Sequence, residues 1–355
     1  MRICPREIHD KHLGRTERCA QTWTSGQREI GWGPGFYRLP STPAPFSVVV
    51  LSHGFSAVKE QYLDKSAASF LFSCRRVGTK LQSSYFRARR QNLSLLGRRV
   101  MSTYADQDAS IRGQTVQIGD AEIYFEEYGT GKPLVLLHGF GGSTRNWDPF
   151  IFAFSVRYRL LVIDLRGHGY STNPNNRFTH REAADDVLLL LEKLGVDQFS
   201  AIGMSSGGMT LLHMATRQPR RITAMALISA TSHFPDQARN IMRRASFNTM
   251  PSEVEEMYRA CAKRGEEQIT QLISQFNALA DDQEDMNFLP AELSAITART
   301  LIIHGDRDRF FPVEIPLGLY RSIPDAALWV IPGGDHVPIF DPQVPFTSTA
   351  IDFLG

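Results

Sequence analysis

The chain has 355 residues, 42% of them apolar and 21% charged, with a formal net charge of +2. That is apolar matter enough for a sizeable core, and it excludes a disordered, collagenous or disulfide-stapled class. The near-neutral total hides two unlike parts: residues 1–100 hold 17 Lys/Arg against 6 Asp/Glu, whereas residues 101–355 hold 22 against 31, so the larger part offers no basic footprint for nucleic acid.

The N-terminal stretch MRICPREIHDKHLGR lacks the apolar region of a secretory signal, and no run approaches transmembrane length. Cys4, Cys19, Cys74 and Cys261 have neither zinc-finger nor redox spacing. A cytoplasmic chain with no membrane association and no metal is the expectation. Phe46–Leu51 is a strand-sized apolar run followed by His53-Gly54-Phe55. One strand and one helix cannot bury a core. Residues 1–100 are therefore expected to be a poorly ordered, dispensable basic segment, and residues 101–355 the folded domain.

From Thr115 onward strands and helices alternate. Thr115–Ile118 and Ala121–Tyr128 read as a hairpin turning at Gly119-Asp120. Pro133–Leu137, Leu160–Asp164, Gln198–Met204, Ala224–Ser229, Thr300–His304 and Ala327–Ile331 are apolar runs bounded by turn residues. Thr179–Leu194 has helical periodicity, with Val187, Leu190, Leu191 and Leu194 inward, Asp185 and Asp186 outward, and Gly195 ending it. Such alternation predicts an α/β fold, a mostly parallel eight-stranded sheet with helices on both faces. Residues 231–298 break the pattern with three helical segments near Pro235–Phe247, Ser252–Arg264 and Glu266–Leu279. An all-helical insertion there predicts a cap over the sheet edge that shapes the site and excludes water.

The chemistry concentrates at Gly203-Met204-Ser205-Ser206-Gly207-Gly208, which follows a strand and opens a helix. A serine on so sharp a bend needs small residues two before and two after it. Gly203 and Gly207 meet that need for Ser205, while Met204 fails it for Ser206, so the register selects Ser205 as nucleophile. A serine hydroxyl needs a base, and His336, in the loop after the last strand, can supply it. The base needs an orienting carboxylate, and Asp306, Asp308 and Asp335 compete. Asp335 adjoins His336, and neighbouring side chains usually diverge. Asp306 reads as a turn-shaper, and Asp308 has the most freedom to curl back. Spacing leaves that choice open. For the oxyanion, the N–H of Ser206 and that of Phe140, in the glycine-rich run His138-Gly139-Phe140-Gly141-Gly142, are the expected donors.

Together these segments, with Asp164-Leu165-Arg166-Gly167-His168-Gly169-Tyr170-Ser171, His304-Gly305-Asp306-Arg307-Asp308 and Gly334-Asp335-His336, resemble the α/β-hydrolase superfamily in its esterase, lactonase and C–C hydrolase branch. The resemblance spans about residues 115–355. It implies that the acid is the aspartate closing the Gly-x-x-Asp pattern, Asp308, and that His168 shapes its loop. It also implies that haloalkane dehalogenase and epoxide hydrolase activities are excluded, since those relatives carry Asp at the elbow. Residues 31–72 resemble the oxyanion-loop fragment of a different branch, the polyketide-transferase-like and dienelactone-hydrolase-like enzymes.

The expected function is a serine hydrolase that cleaves a carboxylic ester or lactone of a small-molecule acyl substrate through an acyl-enzyme on Ser205. A C–C hydrolase, or an acyltransferase or thioesterase of secondary metabolism, would use the same three residues, and a non-catalytic binding module is the alternative of another class. No cofactor is implied, because the glycine-rich loop after Pro133–Leu137 lacks a dinucleotide fingerprint.

Overall fold

The computed structural model describes residues 113–355 together with three short strands, Thr22–Thr24, Gln27–Glu29 and Val48–Val50. The expectation for residues 1–100 otherwise lies outside the described residues. Eight strands in the main region make one sheet: β1 (Gln114–Ile118), β2 (Ala121–Tyr128), β3 (Lys132–Leu137), β4 (Tyr158–Ile163), β5 (Phe199–Met204), β6 (Ile222–Ile228), β7 (Arg299–Gly305) and β8 (Ala326–Ile331). Their spatial order is β1-β2-β4-β3-β5-β6-β7-β8, and Val48–Val50 pairs in parallel beside β8. Only β2 pairs antiparallel, to β1 and to β4. The first two strands can be a hairpin because Gly119, at φ +56°, supplies the left-handed turn.

The central strands are continuous apolar runs because helices bury both of their faces. Alternation assigns each residue to a side. Val135 and Leu137 of β3 pack with α2 (His180–Lys193), α3 (Ser206–Arg217) and α8 (Glu314–Ser322). Leu134 and Leu136 pack with α1 (Asp148–Ser155) and α9 (Phe346–Leu354). Thr179 caps α2 by accepting the N–H of Glu182, and Gly195 ends it at φ +66°.

The expected outward direction of Asp186 is corrected by the structure. Its carboxylate is buried and ion-pairs with Arg166, Nε to Oδ2 2.6 Å. Helical periodicity identifies a face. It does not reveal that a guanidinium from the 165–171 loop lies under that face, and a paired charge can be buried where a lone one cannot. Asp185, by contrast, is exposed and pairs with Arg217.

Residues 231–298, the expected cap segment, contain α4 (Asp236–Arg244), α5 (Ser252–Cys261), α6 (Gly265–Leu279) and the single turn α7 (Pro290–Leu293). Among the described residues, no helix is long and apolar enough to cross a membrane.

Candidate active site

The elbow is built by exclusion of side chains. Ser205 sits at φ +49°, ψ −116°, a region costing a non-glycine residue about 1–3 kcal/mol. The crossing of β5 and α3 is close enough that a methyl on Gly203 would lie 2.5 Å from the Gly207 carbonyl carbon. A methyl on Gly207 would lie 2.3 Å from the Leu137 carbonyl oxygen. These two contacts, together with the strand ladder behind the turn, hold Ser205 in its strained conformation. Its N–H donates to the Ile228 carbonyl at 2.7 Å.

Two loops from the C-terminal edge of the sheet meet above it. Gly305 and Gly334 are in backbone contact, so that a methyl on Gly305 would stand 2.2 Å from the Gly334 oxygen. Arg307 N–H donates to that same oxygen at 2.8 Å. The contact carries Asp308 to His336: Nδ1 lies 2.8 Å from Asp308 Oδ2, and Nε2 lies 3.0 Å from Ser205 Oγ. With Asp308 ionised, Nδ1–H donates to it, which leaves Nε2 as the acceptor of the serine proton. The other carboxylate oxygen accepts the N–H groups of Phe310 (2.8 Å) and Phe311 (3.1 Å). Burial favours the neutral Asp308 carboxyl, but the His336 hydrogen bond and the nearby imidazoles outweigh it and hold the group below the usual carboxylate range. The two competing aspartates are occupied elsewhere. Asp306 Oδ1 accepts the Gly333 N–H at 2.6 Å, a turn-shaping role, and Asp335 pairs with Arg309 at the surface.

The expected oxyanion donors flank the hydroxyl. Ser206 is the first residue of α3, where an N–H has no acceptor inside the helix. Phe140 lies inside a turn closed by Gly142 N–H on the Gly139 oxygen at 3.0 Å. A methyl on Gly139 would lie 3.4 Å from Ser205 Cβ, which places that turn directly against the nucleophile.

Buried histidines and one aspartate brace the loops. His138 Nδ1–H donates to the Gly139 oxygen (2.7 Å), and its Nε2 accepts Leu165 N–H (3.0 Å). Asp164 accepts the N–H groups of Thr144 (2.6 Å) and Tyr170 (2.9 Å). His168 is wholly buried and bonds the Arg166 oxygen at 2.9 Å, a loop contact remote from proton transfer.

Burial pushes His138 and His213 down to about 4 and His168 well below its ordinary value, whereas it pushes Asp164 up to about 7. Unfolded histidines take up protons below about pH 6.5, while the folded ones resist. Stability is therefore lost as pH falls through that window, by about 3 kcal/mol each for His138 and His213. Asp164, Asp148 and Asp186 have the opposite sign, because burial raises them and protonation favours their folded forms. The four lowered histidines, His304 among them, outnumber these carboxyls, and the urea midpoint is expected to fall between pH 7 and pH 4. A midpoint constant over that range would contradict the buried neutral imidazoles.

Sequence reasoning missed the aromatic wall. Phe276 of the cap helix α6 stands 5.1 Å from Phe140 and 6.4 Å from Phe310, ring centre to centre, and Phe310 stands 4.8 Å from His336. Tyr258 of α5 lies on Gly141, whose φ of +75° leaves no room for a methyl. Nothing local in the sequence marks these as neighbours. Trp147, Met204 and Met209 are buried in the core. Among the described residues no group of three or more His, Cys, Asp or Glu side chains is placed to hold a metal ion.

Residues 132–281 match the family model described as alpha/beta hydrolase fold. The chain is 25% identical over 267 residues to a pimeloyl-[acyl-carrier protein] methyl ester esterase of Nitrosospira multiformis, covering 66% of this chain and 99% of that one. It is 26% identical over 274 residues to a 2-hydroxy-6-oxononadienedioate/2-hydroxy-6-oxononatrienedioate hydrolase of Cupriavidus pinatubonensis, covering 68% and 94%. In fold it is similar to the enol-lactonase from Burkholderia xenovorans, with a TM-score of 0.57, 21% identity, and coverage of 68% of this chain and 99% of that one.

Proposed function

The chain belongs to the α/β-hydrolase superfamily and is a hydrolase, and from that premise we propose that it cleaves a carboxylic ester or lactone through an acyl-enzyme on Ser205. The observation that carries this reading is the continuous contact from Ser205 Oγ through His336 to Asp308, at 3.0 and 2.8 Å, on a backbone bend that exposes the hydroxyl.

The steps follow from the atoms. Ser205 Oγ attacks the acyl carbon while its proton passes to His336 Nε2. Asp308 stabilises the imidazolium so formed and keeps Nε2 aimed at the serine. The carbonyl oxygen becomes an oxyanion held by the N–H groups of Phe140 and Ser206, each such donor worth about 3 kcal/mol of barrier. Collapse expels the alkoxide, which takes the proton from Nε2. Water then repeats the sequence in reverse roles, giving the carboxylic acid and free Ser205. The Phe140–Phe276–Phe310 wall beside His336 favours an apolar acyl group, and a small-molecule substrate of that kind is the expected partner.

Labelling by a fluorophosphonate probe tests the reading, followed by turnover of p-nitrophenyl esters of graded chain length alongside lactones. Labelling and ester or lactone turnover that both vanish in Ser205→Ala are the expected result. Labelling that survives Ser205→Ala would overturn it, as would a labelled protein that turns over none of these substrates. A protein that is never labelled would favour a binding module.

A further inference from the structure

Next to the Ser205 relay lies a second serine–histidine–aspartate chain that the proposed chemistry leaves unused. His180 Nε2 is 3.0 Å from Ser206 Oγ, and His180 Nδ1 is 2.6 Å from Asp285 Oδ2. The Asp285 carboxylate also accepts the backbone N–H groups of His180 (2.9 Å) and Arg181 (3.0 Å). Ser206, His180 and Asp285 are 3%, 0% and 4% exposed. They come from three places: Ser206 opens α3, His180 opens α2, and Asp285 lies in the cap segment after α6. His213, two turns along α3, donates from Nε2 to the Asp285 carbonyl oxygen at 2.7 Å. One cap residue thus ties the beginning and the middle of the helix that follows the nucleophile.

Such a set is either a second nucleophilic centre or a brace. Burial excludes the first, because an acyl carbon has no approach to a hydroxyl enclosed under the cap. As a brace the geometry has a clear sense. Asp285 Oδ2 accepts the hydrogen bond of His180 Nδ1–H, which leaves Nε2 to accept one from the Ser206 hydroxyl. A buried polar network that is fully satisfied permits one arrangement, since every alternative leaves a buried group unpaired. The residue so fixed is Ser206, whose backbone N–H is the proposed oxyanion donor.

We propose that His180 and Asp285 are positioning residues: they hold Ser206 by its hydroxyl so that its N–H stays aimed at the oxyanion, and they make this alignment depend on the seating of the cap. The inference rests on the Ser205 reading given above.

The test compares Ser206→Ala, His180→Gln and the double variant in the full chain, with p-nitrophenyl acetate as substrate. Each single variant is expected to lower kcat about tenfold, the scale of a small misplacement at a reacting centre, with KM changed less than twofold. The double variant is expected to lose no more than either single one, because both break the same connection. Inhibition by phenylboronic acid, whose tetrahedral adduct needs the same N–H donors, is expected to weaken by the same factor. A brace that served stability alone would lower the melting temperature and leave kcat and boronate affinity in place, and that result would overturn the proposal. Losses that multiply in the double variant would overturn it as well. Should His180→Gln not fold, Ser206→Ala, which removes a single hydroxyl, decides by its kcat and boronate affinity. Fluorophosphonate labelling separates the two readings. Retained labelling with unchanged kcat ends this inference and leaves Ser205 standing, whereas an unlabelled wild-type chain ends both.

Discussion

Replacing Ser205 with alanine is expected to lower kcat on p-nitrophenyl acetate by about a million-fold, His336→Ala by about as much, and the two together by no more than either. The non-additivity is the informative part. Proton removal by Nε2 is useful only if Oγ is there to attack, and Oγ attacks only if Nε2 takes its proton across 3.0 Å. Either loss therefore removes the same step. Activity that remains reflects substrate held against the N–H groups of Phe140 and Ser206 with water as the nucleophile. Steady-state kinetics on purified variants, with folding checked by circular dichroism, decides the matter. A Ser205→Ala protein within tenfold of wild type would place the chemistry elsewhere. The adjacent Ser206→Ala is the internal comparison, since its expected loss is about tenfold. The contrast tests the register that Gly203 and Gly207 impose on the elbow.

Asp308→Asn is expected to lower kcat about ten-thousand-fold while KM changes little. An amide presents a similar shape to His336 Nδ1, but it supplies no negative charge and can itself donate. The imidazole is then free to hold its proton on Nε2, where it cannot accept from serine. The imidazolium also loses the carboxylate that stabilises it at 2.8 Å. Asp306→Asn and Asp335→Asn are expected to stay within about threefold of wild type, because those carboxylates serve a turn N–H and a surface arginine. If Asp335→Asn were the damaging change instead, the choice among the three aspartates would be wrong.

That choice shows where sequence reading weakens. The distance along the chain from Asp306 or Asp308 to His336 differs by two residues, and spacing cannot separate them. In the structure they are separated by the Gly305–Gly334 contact, which turns one carboxylate into a loop N–H and the next toward the imidazole. The strands were legible for a simpler reason: a run buried on both faces must be apolar along its length, and turn residues bound it. The elbow was legible because a strained serine needs two glycines at fixed positions.

Asp186 and the His180–Asp285 pair mark the other limit. Each is an ordinary polar residue on a helix or loop, and its burial depends on a partner 20 to 105 residues away in sequence. The same holds for Phe276, which meets Phe140 and Phe310 only through the tertiary packing of α6.

The amino-acid order by itself determined the alternation of strands and helices, the helical run at 231–298, and the glycine-flanked bend that singles out Ser205 as the proposed nucleophile, because each of these is written in local periodicity or in a short run of sterically required residues. Tertiary structure alone decided which aspartate faces His336, which charges are buried in pairs, and how the cap reaches Ser206. Those are contacts between distant segments, and their free energy depends on who the neighbour is, a quantity that no window of sequence contains.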